Sequence, residues 1–164
     1  MTTRTAQPRE HVTIERTYTD VTLEEVWDMW TTTDWIESWW GPDGFSVKVR
    51  TLDVRPGGTL VYAMTAVDPP QIEFMKNAGM PLTTETRGAF TVVDPPRRLS
   101  FTQVADFIPG VDPYEITTTV ELHAVENGVR LVLALERMHD SHWTEMAVKG
   151  WTNELEKLAA ALAA

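Results

Sequence analysis

"WTEMAVKGWTNELEKLAAAL", residues 143–162, carries apolar side chains at Trp143, Ala147, Trp151, Leu155, Leu158 and Leu162. The steps are 4, 4, 4, 3 and 4, which is one stripe of a long helix. Glu145, Lys149, Asn153, Glu156 and Lys157 fill the other faces. Burying the large members of the stripe contributes roughly 8–15 kcal/mol gross, at about 1.5–3 each. A stripe of this kind needs a cover, and its partner has to come from the residues before it.

Those residues read mostly as strands. "VTIERTYT" (12–19) alternates, with Val12, Ile14 and Tyr18 on one face. The period then switches. Thr22 and Glu25 form a capping box, and Val21 and Val26 sit at the positions of a hydrophobic staple. Leu23, Val26, Trp27 and Trp30 recur at helical spacing. A second short helix, "TDWIESWW", starts on Thr33 or Asp34 as cap and ends before Gly41-Pro42. Five of the seven tryptophans fall between 27 and 40, a density that belongs in a core or a pocket wall. From residue 45 the period is two: "FSVKV", a slip of phase near Leu52 that predicts a bulge, "TLVYAMTAV", "RGAFTVV", "RLSFTQVADF", "YEITTTVELHAV" and "VRLVLALE". "RPGG" and Asp94-Pro95-Pro96 mark turns, and Asn127-Gly128 marks a two-residue hairpin. The predicted class is α+β. A curved antiparallel sheet of about six or seven strands grips a long C-terminal helix, with two short helices after the first strand.

The totals bound the function. At 164 residues the chain is predicted to be a single domain, 1–164, with its core over about 10–163. There is no cysteine, which excludes disulfides and thiol chemistry. The net charge of −10 disfavours nucleic acid and anionic membrane as partners. No signal peptide and no run of about 18 apolar residues is visible, so a cytoplasmic protein without membrane insertion is expected.

The stretches "TTTDWIESWWGPDGF" (31–45), "RPGGTLVY" (55–62), "GAFTVVDPPRRLSFT" (88–102) and "GWTNELEKLAAAL" (150–162) resemble the START/SRPBCC superfamily, the birch-pollen-allergen-like helix-grip fold. Within it they are most similar to the family that resembles the C-terminal domain of the activator of the heat-shock-protein-90 ATPase. The resemblance spans about residues 10–163. It implies the helix-grip fold with an internal cavity between sheet and last helix. In the superfamily such cavities take lipids, hormones and other apolar ligands, and some members are cyclases or dehydratases. Two connections are longer than the family pattern: 68–86 and 105–114. Both hold apolar residues, and Ile72, Phe74, Met75, Met80, Phe107 and Ile108 are read as a lid over the cavity, with a core plug or a homodimer contact as the alternatives.

The chemistry centres on "MHDSHWTEMAVKGW" (138–151). His142 and Glu145 have a workable ligand spacing, but the pattern is not His-Glu-x-x-His, and no metal is expected. Asp140 reads as the helix N-cap; neighbours in sequence rarely face each other, which argues against a His139–Asp140 pair. His139 and His142 remain the candidate acid–base residues, because histidine ordinarily titrates near neutrality. No nucleophile elbow, Walker loop or dinucleotide fingerprint is present, and no cofactor is expected. The expected ligand-binding set is Trp40, Met64, Phe74, Met75, Met80, Phe101, Phe107, Tyr114, Thr118, Trp143, Met146 and Trp151, with Thr118 and Thr102 or Gln103 supplying polar groups. Three functions fit: binding of a small apolar or aromatic ligand, a cyclase- or dehydratase-like reaction on a polyketide-like or aromatic substrate, and regulation of a chaperone ATPase by protein contact.

Overall fold

A computed structural model describes residues 10–106, 108 and 110–163; Phe107, one of the expected lid residues, lies outside them. In chain order the elements are β1 (His11–Thr19), α1 (Leu23–Thr31), α2 (Thr33–Trp39), β2 (Phe45–Leu52), β3 (Thr59–Ala66), α3 (Pro69–Asn77), β4 (Thr83–Asp94), β5 (Arg98–Ala105), β6 (Tyr114–Val125), β7 (Gly128–Glu136) and α4 (Ser141–Ala163). The strands form one curved seven-stranded sheet in the order β1-β7-β6-β5-β4-β3-β2. Every neighbouring pair is antiparallel. Among the described residues no helix is long and apolar enough to cross a membrane.

The local signals mostly act as the sequence implies. Thr22 accepts from the Glu25 N–H at 3.1 Å while the Glu25 carboxylate accepts from the Thr22 N–H, so the capping box closes. A bulge between Val49 and Thr51 resets the phase of β2. Asp140 accepts the Trp143 N–H at 2.8 Å and starts α4. Thr144, one turn in, donates to the Asp140 carbonyl at 2.7 Å and accepts the Met138 N–H at 3.0 Å, which seals the corner between β7 and α4.

Three expectations are corrected. The cap of α2 is Thr32, not Thr33 or Asp34, because the Thr32 carbonyl already accepts the Ile36 N–H. The two-residue turn of the β6–β7 hairpin is Glu126-Asn127, one residue earlier than Asn127-Gly128, with Asn127 at φ 63°. Gly128 is needed for a different reason: a Cβ there would stand 1.9 Å from the Tyr18 carbonyl oxygen of the neighbouring strand. The 68–86 connection is largely regular structure, since α3 occupies 69–77 and β4 begins at Thr83. Its Pro69-Pro70 pair starts a helix, as proline does at first-turn positions.

Candidate functional site

Residue pairing sorts the inner face of the sheet into two halves. Phe90 opposes Phe101, Leu99 opposes Val120 and Val120 opposes Leu133. These residues, with Leu60 and Leu131, are no more than 2% exposed. Here the aromatic cluster packs against itself. Trp30 stacks on Trp151 at 5.7 Å, Trp40 stacks on Phe101 at 5.9 Å, and Trp39 meets Trp30 edge-on at 4.6 Å. Edge-on and offset rings are the favourable geometries for such contacts. Three members of the expected binding set, Trp40, Phe101 and Trp151, therefore meet one another beneath the middle of α4 instead of surrounding a void there.

The other half is not sealed. Tyr62 pairs with Thr86, Met64 with Thr84, Gln103 with Ile116 and Ala105 with Tyr114, on the same inner face as Phe101. Tyr62, Met64, Thr84, Thr86, Gln103 and Tyr114 are all only half-buried. Opposite them, Trp143, Ala147 and Gly150 of α4 are half-buried as well. An inner face that a helix covered completely would be buried throughout, so this contrast marks a cleft between α4 and strands β3–β6.

At its inner end the cleft is polar. Gln103 Nε2 donates to the Tyr62 hydroxyl at 2.6 Å, and the Tyr62 ring meets Trp40 edge-on at 5.1 Å. Glu154 of α4 accepts the Gly41 N–H at 2.6 Å, and Lys157 donates to the Gly41 carbonyl at 2.7 Å. Asn153 accepts the Asp43 N–H at 2.7 Å. Asn153, Glu154 and Lys157 of α4 thus tie down the loop that follows Trp40. Burial pushes the Glu154 carboxyl up to about 7, against the opposing pull of the Gly41 N–H and the Lys157 ammonium. Burial, with the nearby Glu154 charge, holds the Tyr62 phenol well above its ordinary range, so it stays protonated.

The outer rim is apolar. Pro42, Phe45, Gln71, Phe74, Met146, Lys149, Gly150 and Asn153 border a groove of about 500 Å³ between α3, α4 and the start of β2. Phe74 is 56% exposed and Met146 45% exposed. The expected lid residues divide: Met75 and Ile108 turn inward and are buried, Ile72 and Met80 are half-buried, and Phe74 faces out.

The two candidate histidines, His139 and His142, lie at the α4 N-terminus. Tyr114 Oη is 2.8 Å from His139 Nδ1 and also accepts the His139 N–H at 3.1 Å. His139 Nε2 lies 3.3 Å from Asp140 Oδ2. The adjacent pair does face itself, contrary to the sequence argument, because both residues precede the first turn of α4 and their side chains are not splayed by helical geometry. His142 is exposed and edge-on to Trp143 at 5.7 Å. Among the described residues no three His, Cys, Asp or Glu side chains are grouped to hold a metal ion. Sequence reasoning missed Tyr62, Thr84, Thr86 and Glu154. Glu154 had a signal: it stands three residues after Trp151 and directly before Leu155, on the flank of the inward-facing stripe, where it is half-buried.

A curved antiparallel sheet gripping a long C-terminal helix is the helix-grip architecture, and solved structures bear this out. A protein from Chromobacterium violaceum superposes with a TM-score of 0.76 at 23% identity, over 93% of this chain and 96% of that one. The AHSA1 protein from Silicibacter pomeroyi gives 0.72 at 24% identity, over 93% and 97%. A protein from Mycobacterium smegmatis gives 0.71 at 21% identity, over 93% and 90%. Identities this low speak for the fold alone. Residues 20–163 match the family model described as activator of Hsp90 ATPase homolog 1-like protein, and the chain belongs to that family. A comparison with curated proteins found no significant match.

Proposed function

We propose that the chain binds a small apolar or aromatic molecule in the cleft between α4 and strands β3–β6, with α3 as its outer wall. One observation carries this reading: inner-face residues at one end of β3–β6, Tyr62, Met64, Thr84, Thr86, Gln103 and Tyr114, stay half-buried, while Leu60, Phe90, Phe101 and Val120 toward the other end of the same strands are sealed. Apolar surface at a concave, partly open site gains free energy when a ligand removes it from water. The exposed Phe74 and Met146 at the rim extend that surface. The test is titration with naphthalene or a similar apolar fluorophore, followed by tryptophan emission. Saturable quenching that weakens in Trp143→Ala and Phe74→Ala supports the reading, and no saturable response from any apolar probe refutes it.

A second reading has its own support. The short Tyr114–His139 hydrogen bond and the adjacent Asp140 form an acid–base chain at one end of the cleft strand β6. In a cyclase- or dehydratase-like reaction His139 would move the proton and Tyr114 would orient it. Turnover of an aromatic or polyketide-like substrate that is lost in His139→Asn and retained in His142→Asn distinguishes this from simple binding.

A further inference from the structure

Gly150 stands in the middle of α4 without the usual reasons for a glycine. Of the nine glycines in the chain, five take a left-handed φ, and at three others a Cβ would stand within 2.0 Å of a backbone carbonyl oxygen. Neither holds at Gly150: its φ is not left-handed, and a Cβ there would meet nothing within 4 Å. Glycine is the poorest helix former after proline, so alanine at this position would make the chain by itself more stable. What a bare Cα does provide is room for another molecule to come close to the helix backbone.

Gly150 is half-buried and lines the groove between α3, α4 and the start of β2. That groove holds about 500 Å³, within the roughly 300–1,000 Å³ of small-molecule sites. Met146 precedes Gly150 by four residues on the same face of α4, and Asn153 follows it by three. Phe45 of β2 and Phe74 of α3 supply the other walls. The space at Gly150 is thus bordered by two phenyl rings and a thioether, groups that make favourable contacts with an aromatic ring. Charge selects a neutral molecule. The groove has one anion, Asp43, whose carboxylate accepts from the Asn153 amide at 3.2 Å, and one cation, Lys149, which leaves no net charge to attract an ion.

We propose that this groove is a slot for one flat, uncharged aromatic ring system lying against the α4 backbone at Gly150, and that Gly150 sets the depth of the slot. This rests on the binding reading above and adds the shape of the ligand and the residue that selects it. The experiment titrates the wild type and Gly150→Ala with naphthalene by tryptophan quenching. It also measures displacement of naphthalene by 2-naphthol and by its thicker, saturated analogue decahydro-2-naphthol. In the wild type 2-naphthol should compete about tenfold better than the saturated alcohol, the scale of a misfit in a packed space. Gly150→Ala should raise the Tm by about 2–4 °C, the shift that a better helix former gives in a chain of this size. The same variant should bind naphthalene about tenfold more weakly, because its methyl group occupies the slot. Unchanged naphthalene affinity in Gly150→Ala, a lowered Tm in that variant, or equal competition by the two alcohols overturns the slot and spares the binding reading. A monomer–dimer equilibrium that Gly150→Ala shifts while naphthalene affinity holds overturns it in favour of a second copy of the chain. Failure of naphthalene to bind the wild type overturns both.

Discussion

Glu154 sits in an environment far from what its type prefers. Its carboxyl titrates near 7 in the fold against an ordinary 4.5, so the folded state holds its proton through a window in which the unfolded chain has released it. The fold is therefore stabilised below about 4.5, loses that contribution as pH rises toward about 7, and is level above it. Urea midpoints should fall between pH 5 and pH 8 in the wild type and stay nearly flat in Glu154→Gln. A midpoint that rises with pH through this range in the wild type contradicts the burial. Asp140 has a plainer role. Its carboxylate accepts the Trp143 N–H, and Asp140→Ala should cost about 1 kcal/mol, the usual value of an N-cap, measured as a lower Tm.

Among elements, β1 and β7 depend on closeness. Gly128 starts β7 where the Tyr18 carbonyl leaves no room for a side chain. Gly128→Ala should force the two strands apart and cost more than about 3 kcal/mol, in the range of severe steric mutations. Gly57 is a useful contrast, since a Cβ there meets nothing within 4 Å and only its φ of +82° opposes substitution. Gly57→Ala should cost about 1 kcal/mol, the penalty of a left-handed backbone with a Cβ. Denaturant melts of the two variants separate the effects. The same contrast explains the misplaced hairpin turn. Asn-Gly is a turn signal by composition, but which residue meets a neighbouring strand depends on register, and register is set by β1, more than a hundred residues earlier in the chain.

For the whole molecule, stability and binding surface separate in space. Trp151 belongs to the sealed half, stacked on Trp30, and Trp151→Ala should cost about 3–5 kcal/mol as a core truncation. Phe74 and Met146 belong to the rim, largely exposed, so their alanine variants should change stability by no more than about 0.5 kcal/mol. If the cleft binds as proposed, the rim variants lose probe affinity while keeping their Tm. Loss of Tm without loss of affinity would mean that the two faces are merely structural.

The order of the strands with α1, α2 and α4, the capping box, the β2 bulge and the stripe of α4 follow from the sequence alone, because each rests on periodicity or on contacts within a few residues; α3 did not, since its stretch reads as a connection. So does the inward phase of Ile116, Thr118, Val120 and Leu122 along β6, once its alternation is recognised. What the tertiary structure decided is where the interior is full and where it is open. Trp40, Phe101 and Trp151 come from three distant segments, and only their meeting shows that they fill the space they were expected to line. Tyr62 and Gln103 meet for the same reason: packing across a curved sheet brings together side chains that no local pattern connects.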